Sequence, residues 1–190
     1  KMKENKRILE VFKGKFTPTS AQDGVPKGML LVEGLLAVVE TMNQNSRFYT
    51  ASNYGKHVSL LQQRIVENNG GILGEMEHPK SMNIDLHNAS HRLMEVSFNE
   101  STGEVHGKVL LLSTPTGLIA QSIVESGEPL PISSRAMGTV TESKEVILEH
   151  LATFDLVGTP GFKQAALFIA EGLEETGNAD SEFYLYECND

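Results

Sequence analysis

Two strand-like runs, Arg92–Phe98 and Glu104 to Ser113, separated only by Asn99-Glu-Ser-Thr-Gly103, constrain this chain more than any other feature. Apolar residues recur through Leu93, Met94, Val96 and Phe98, and the short polar segment closing on Gly103 is turn chemistry, so the pair reads as a β-hairpin. A hairpin forces its strands antiparallel, and the rest of the fold must be built around that geometry.

The flanking stretches supply further strands and single helices. Gly28 to Met42 carries β-branched residues at both ends and Gly34 inside, the pattern of a bent or bulged strand. Val58, Leu61 and Ile65 stand at helical spacing within a helix predicted from about Ala51 to Asn68, which Gly70-Gly71 ends before a strand at Ile72 and Leu73. Thr114 before Pro115 is an N-cap followed by proline at the first helical position, opening a helix through Leu118, Ile119 and Ile123 that Gly127 closes. Strands follow at Pro131–Gly138 and Glu145–Val157, then a helix from Phe162 to about Glu175, while residues 1–27 read as a short strand and a loop. Strand pairs interleaved with single helices give an α+β expectation: an antiparallel, barrel-like β-sheet surrounded by helices. One domain, 1–175, and an acidic C-terminal tail, 176–190, account for the 190 residues.

Charge and cysteine usage narrow the functional classes. With 16 basic against 25 acidic residues the net charge is -9, which repels phosphates at long range and argues against nucleic acid as a partner. Apolar runs such as Met29–Val32 and Val109–Leu112 are far too short to span a bilayer, so no membrane is expected. The lone Cys188 has no partner for an internal disulfide, which fits a reducing, intracellular compartment.

His78 sits where an apolar strand breaks into a loop, and Pro79 restricts it to extended or turn geometry. Fifty-five residues beyond His78 lies Ser133, in Pro131-Ile-Ser-Ser-Arg-Ala-Met-Gly138, which places paired serines and an arginine in an otherwise apolar run. A serine hydroxyl becomes a nucleophile only when an imidazole takes its proton and a third group fixes the tautomer. Ser133, His78 and Asp155 can fill these roles: Asp155 lies twenty-two residues beyond Ser133, near the end of the next strand, where a return could bring it alongside. Ser133 and Ser134 must face opposite sides of their strand, so one alone can meet the imidazole. The bland alternative is strand serines with a turn aspartate. A second chemistry is metal binding by Glu75, His78, His87 and His91, the last two spaced as a helical i, i+4 pair, although no Glu follows His87 as a zinc hydrolase motif requires. A catalytically silent scaffold component is the third reading.

Gly74-Glu-Met-Glu-His-Pro79 with Asn83-Ile-Asp85, then Ile132-Ser-Ser-Arg-Ala-Met-Gly138, and upstream Asn43-Gln-Asn-Ser-Arg-Phe-Tyr49, resemble the prohead core protease family of T-even-type tailed phages. Three separated motifs occur in order, over roughly Gly28 to Phe162. The resemblance implies an assemblin-like fold, as in herpesvirus proteases. It also implies a serine endopeptidase that needs no cofactor and cleaves scaffold, core and major capsid proteins inside the assembling prohead, in the host cytoplasm. A homo-oligomer is compatible with it. On this resemblance His78 matches the catalytic histidine and Ser133 the nucleophile. Assemblins use a second histidine as third member on the strand after the nucleophile, where this chain has Phe154-Asp155-Leu156, which makes Asp155 the inferred third member. Backbone amides near Ser134 and Arg135 become oxyanion-hole candidates.

The family resembled here cuts after glutamate that follows an aliphatic residue two positions earlier. Ile169-Ala-Glu171 before Gly172 fits, and so does Leu31-Val-Glu33 before Gly34. The second lies in a predicted buried strand and the first near the end of a predicted helix, where fraying is cheap, so self-cleavage is expected after Glu171. Arg135 and Arg47 are the candidates for reading the substrate glutamate.

Overall fold

The computed structural model describes residues 17–18, 24–41, 46–77, 79, 81–128, 130–158 and 183–189. In chain order these form β1 (Thr17–Pro18), β2 (Leu30–Val38), β3 (Phe48–Tyr49), α1 (Ala51–Glu67), β4 (Ile72–Glu75), β5 (Ala89–Asn99), β6 (Glu104–Leu111), α2 (Pro115–Glu125), β7 (Ile132–Val140), β8 (Glu145–Leu156) and β9 (Phe183–Asn189).

The hairpin predicted from its turn is β5–β6, and Gly103 takes φ +71° where its N–H donates to the Asn99 carbonyl at 2.8 Å. It forms the middle of a five-stranded antiparallel sheet ordered β1-β2-β6-β5-β4. A second sheet of four strands, β3-β8-β7-β9, carries the serine strand at its centre. The single barrel expected from sequence is therefore replaced by two separate sheets, and β3 pairs with β8 in parallel.

The outer edge of β8 explains why no barrel closes. At its start β3 pairs with Glu145 and Val146. Midway, side chains of α1 take over: Asn53 exchanges hydrogen bonds with the Leu148 backbone, and Arg64 donates to the carbonyls of Leu151 and Ala152. At its end β4 arrives, but only Met76 and Leu156 form a bridge, and side chains make the remaining links. Thr153 Oγ1 donates to the Leu73 carbonyl at 3.0 Å, and the Glu75 N–H donates to Asp155 Oδ1 at 3.0 Å. A strand edge shared among three neighbours cannot carry one continuous ladder.

Leu36, Leu61, Leu93, Leu111, Leu151 and Phe154 belong to one buried core between the sheets and α1. α1 presents Tyr54, Val58, Leu61 and Ile65 to it at spacings of four, three and four, the apolar stripe of an amphipathic helix. Thr50 caps α1, and Thr114 caps α2 by accepting from Gly117 N–H at 3.1 Å, with Pro115 at the first helical position as the sequence predicted. The irregularity in β2 falls between Leu35 and Ala37, not at Gly34, which pairs in register with Gly107. The predicted helix from Phe162 lies outside the described residues. Part of the stretch read as a tail is β9, which pairs antiparallel with β7 from Gly138↔Phe183 to Ile132↔Asn189.

Candidate active site

β7 and β8 run side by side with Ser133 opposite Asp155 and Arg135 opposite Thr153. Residues two apart on a strand share a face, and directly paired residues do too, so Ser133, Arg135, Thr153 and Asp155 all project from the same side of this sheet. All four are buried, as are Glu75, Ser90 and His91. So much polar surface inside the fold persists only if its groups satisfy one another.

Arg135 is the hub. Its Nε donates to Asp155 Oδ2 at 2.8 Å, and its Nη2 donates to Asp155 Oδ1 at 2.6 Å and Glu75 Oε2 at 2.7 Å. Its Nη1 donates to the Asn83 carbonyl at 3.3 Å, on the segment after the His78 loop. Burial works against the guanidinium charge, but the bonds and charge of Asp155, and then those of Glu75, outweigh it and raise the Arg135 pKa above its ordinary value. A guanidinium bound this way, with no exposed surface, holds the fold's own carboxylates. Reading a substrate glutamate, the role considered for it from sequence, would require Arg135 to release these bonds.

The bulge in β4 delivers Glu75 to this cluster. Register shifts between Gly74 and Glu75, where Gly74 pairs with His91 and Glu75 with Ala89, and this turns Glu75 toward Arg135. Gly74 is there because β4 passes against β8: a Cβ on it would lie 2.2 Å from His91 Nε2 and 2.4 Å from the Phe154 carbonyl oxygen.

His91 fills that junction. Its Nδ1 is 2.8 Å from Ser90 Oγ, and its Nε2 is 2.8 Å from the Phe154 carbonyl, an acceptor only, so Nε2 carries the proton. Burial lowers its pKa, against the opposing influence of the Asp155 charge, and keeps the ring neutral. This overturns the helical His87–His91 pair: His91 lies within strand β5, whereas His87 is exposed in a turn beside Asp85. Among the described residues no group of three His, Cys, Asp or Glu side chains is placed to hold a metal ion. His78 itself lies outside the described residues, as does Glu171.

Ser134, on the opposite face from Ser133, is buried as well, because β7 is covered on both faces. Over Ile132–Gly138 both edges of β7 are paired, with β8 and with β9. The amides of Ser134 and Arg135 therefore point along ladders, and either could meet an oxyanion only where a ladder opens.

The sequence model of the prohead core protein serine protease family matches residues 4–162. The chain belongs to that family. Membership makes this prohead core protease a peptidase, and the match contains the Ser133, Arg135, Glu75 and Asp155 cluster as well as His78. Its fold is similar to that of a solved structure from bacteriophage T4, described as the capsid assembly protease gp21. The TM-score is 0.61, over 77% of this chain and 90% of that one, at 21% sequence identity. No curated protein matches the chain in sequence. No helix among the described residues is long and apolar enough to cross a membrane.

Glu75 is the member of the cluster whose role sequence reasoning missed, having counted it only toward a metal site. The signal was a glutamate closing an apolar strand three residues before His78, in a chain that also sets an arginine, Arg135, in an apolar run.

Proposed function

We propose that this prohead core protease is a serine endopeptidase of capsid maturation in which Ser133 is the nucleophile, His78 the general base and Asp155 the group that orients the imidazole. The observation that carries the reading is the β7–β8 register, which sets Ser133 beside a buried, ionically anchored Asp155 on one face. Asp155 accepts from Nε and Nη2 of Arg135 and from the Glu75 N–H, bonds that hold its carboxylate on this face. In the reaction Ser133 Oγ attacks the scissile carbonyl as His78 takes its proton. The imidazolium, stabilised by Asp155, then returns that proton to the leaving amine, and water repeats the sequence to release the acid.

Ser133 has no exposed surface. Acyl transfer requires the substrate carbonyl about 3 Å from the nucleophile, so Ser133 must be uncovered for cleavage. The substrates we propose are the scaffold, core and major capsid proteins inside the prohead, cut after glutamate, with self-cleavage after Glu171. Arg47, buried ahead of β3, and Arg135 are the arginines to test for the glutamate preference.

The test is labelling and cleavage together. A serine-directed phosphonate should label Ser133, and Ser133→Ala and His78→Ala should each abolish scaffold cleavage while retaining the wild-type fold. Ser134→Ala should retain activity, because its side chain leaves the strand on the other face. Equal loss at both serines would move the nucleophile. Activity abolished by chelator but untouched by phosphonate would replace the serine mechanism. Intact masses of wild type and Ser133→Ala after incubation decide self-processing, since only an active Ser133 should shorten the chain at Glu171.

A further inference from the structure

β7 has two edges, and the hydrogen bonds of β8 fix which of them the amide beside the nucleophile faces. Ser134 pairs with Phe154, and Ile132 with Leu156. The Phe154 carbonyl accepts from His91 Nε2 at 2.8 Å and the Leu156 carbonyl from the Glu77 N–H at 2.6 Å, so both carbonyls face away from β7. Val157, one residue on, donates its N–H to the Pro131 carbonyl at 3.1 Å, which is the alternation of an antiparallel pair. Ser134 therefore stands at a non-hydrogen-bonded position opposite β8, and its N–H faces the other edge of β7. On that edge its pair is Glu187 of β9.

We propose that the outer edge of β7 is the seat of an extended substrate strand, and that β9 fills this seat and holds the Ser134 amide that a substrate oxyanion needs; the proposal rests on the reading of Ser133 as nucleophile. The N–H of the residue after a nucleophilic serine is a recurrent oxyanion donor, and it can act only when it is free to meet the developing charge. β9 is the outer strand of its sheet, with β7 as its main neighbour among the described elements, so its departure breaks one ladder and leaves the rest of the fold in place. An extended peptide adding antiparallel to β7 would replace those bonds one for one, drawing affinity from main-chain bonds and selectivity from alternate side chains. The chemistry of the seat thus suits an unfolded stretch of polypeptide, and substrate and β9 exclude each other.

The test turns on which amides of β9 face β7. Because Ser134 faces β9, its pair with Glu187 is a hydrogen-bonded one, so Glu187 directs its N–H to β7 and Cys188 directs its N–H outward. Proline at 187 removes a ladder bond, whereas proline at 188, on an outer strand, does not. In the full chain, amide hydrogen exchange should find the Ser134 N–H protected in wild type and in Cys188→Pro, and about tenfold faster in Glu187→Pro. On a peptide that wild type cleaves in a Ser133-dependent way, Glu187→Pro should lower KM about tenfold with kcat little changed, since the open edge is then populated in most molecules, and Cys188→Pro should behave as wild type. A synthetic peptide with the sequence of Phe183–Asn189 should raise the KM of wild type and leave kcat unchanged. An unprotected Ser134 amide in wild type, a folded Glu187→Pro whose KM stays put or whose kcat collapses, or a peptide that leaves KM unmoved overturns the proposal. If Glu187→Pro does not fold, the exchange and peptide measurements on wild type decide by the same criteria. Wild type that does not cleave, or cleavage that survives Ser133→Ala, instead sinks the nucleophile reading on which the proposal rests.

Discussion

Gly74→Ala isolates the junction that joins the two sheets under the candidate site. The added methyl would sit 2.2 Å from His91 Nε2, 2.4 Å from its Cε1 and 2.4 Å from the Phe154 carbonyl oxygen. All three distances are about 1 Å or more inside ordinary contact, and one of the atoms is backbone of β8, which the β7 ladder holds in place. Overpacking of this kind costs about 1 to 3 kcal/mol. The imidazole cannot swing aside without giving up its 2.8 Å bond to Phe154, and leaving that buried pair unsatisfied adds about 1 to 3 kcal/mol. The sum, about 2 to 6 kcal/mol, is a large fraction of the stability of a typical domain. With a urea m-value of about 2 kcal/mol per M, a loss near 4 kcal/mol lowers the unfolding midpoint by about 2 M. The same substitution in a His91→Ala background should cost less, since two of the three overlaps are then absent. A midpoint shift below about 0.3 M, or equal costs in the two backgrounds, would refute the claim that β4 and β8 are held at glycine distance by His91.

Three further outcomes are expected. His91, His57 and His150 all have pKa values lowered from 6.5, each chiefly by burial, so between that value and their folded-state values the unfolded chain binds more protons; stability should be full above about pH 7 and fall below 6.5, most of all through the fully buried His91. Urea midpoints at pH 7.5 and 5.0 check this, and equal midpoints refute it. Asp155→Asn should lower turnover strongly, by loss of tautomer control and of the negative charge beside Arg135, while circular dichroism stays native; unchanged turnover removes Asp155 from the mechanism. Thr114→Ala should cost about 1 kcal/mol in the same urea assay, because the side chain caps α2 through Gly117 N–H and also donates to the Ala89 carbonyl.

How far the sequence carried follows from the range of the forces involved. α1, α2 and the β5–β6 hairpin were legible because caps, turn glycines and apolar spacing act over a few residues. The pairing of Ser133 with Asp155 was partly legible for the same reason, since strands joined by the short turn between Val140 and Glu145 must pair. What failed depended on which edges meet. Ala89, Ser90 and His91 are buried in succession, where a half-exposed strand would alternate. The β4 bulge lies on one side of them and the start of α2 on the other, with Thr114 and Thr116 donating to the Ala89 carbonyl. Without that knowledge His87 and His91 look like neighbours on a helix.

Arg135 shows the same limit at the site. Its sequence neighbours mark it as a motif residue, but its partners lie 20 and 60 positions away, on strands whose approach depends on Gly74 and on the shared edge of β8. Once those partners are in place, the arginine that the motif offers as a substrate contact becomes the counter-ion of two carboxylates. Removing one partner of such a buried network leaves an uncompensated charge and costs about 3 to 5 kcal/mol, whereas replacing the set with neutral groups is often tolerated. The cluster is therefore weak evidence for stability as such. Its position supports a role in the chemistry, because Glu75 closes the strand that leads to His78, Arg135 follows the serine pair, and Asp155 faces Ser133.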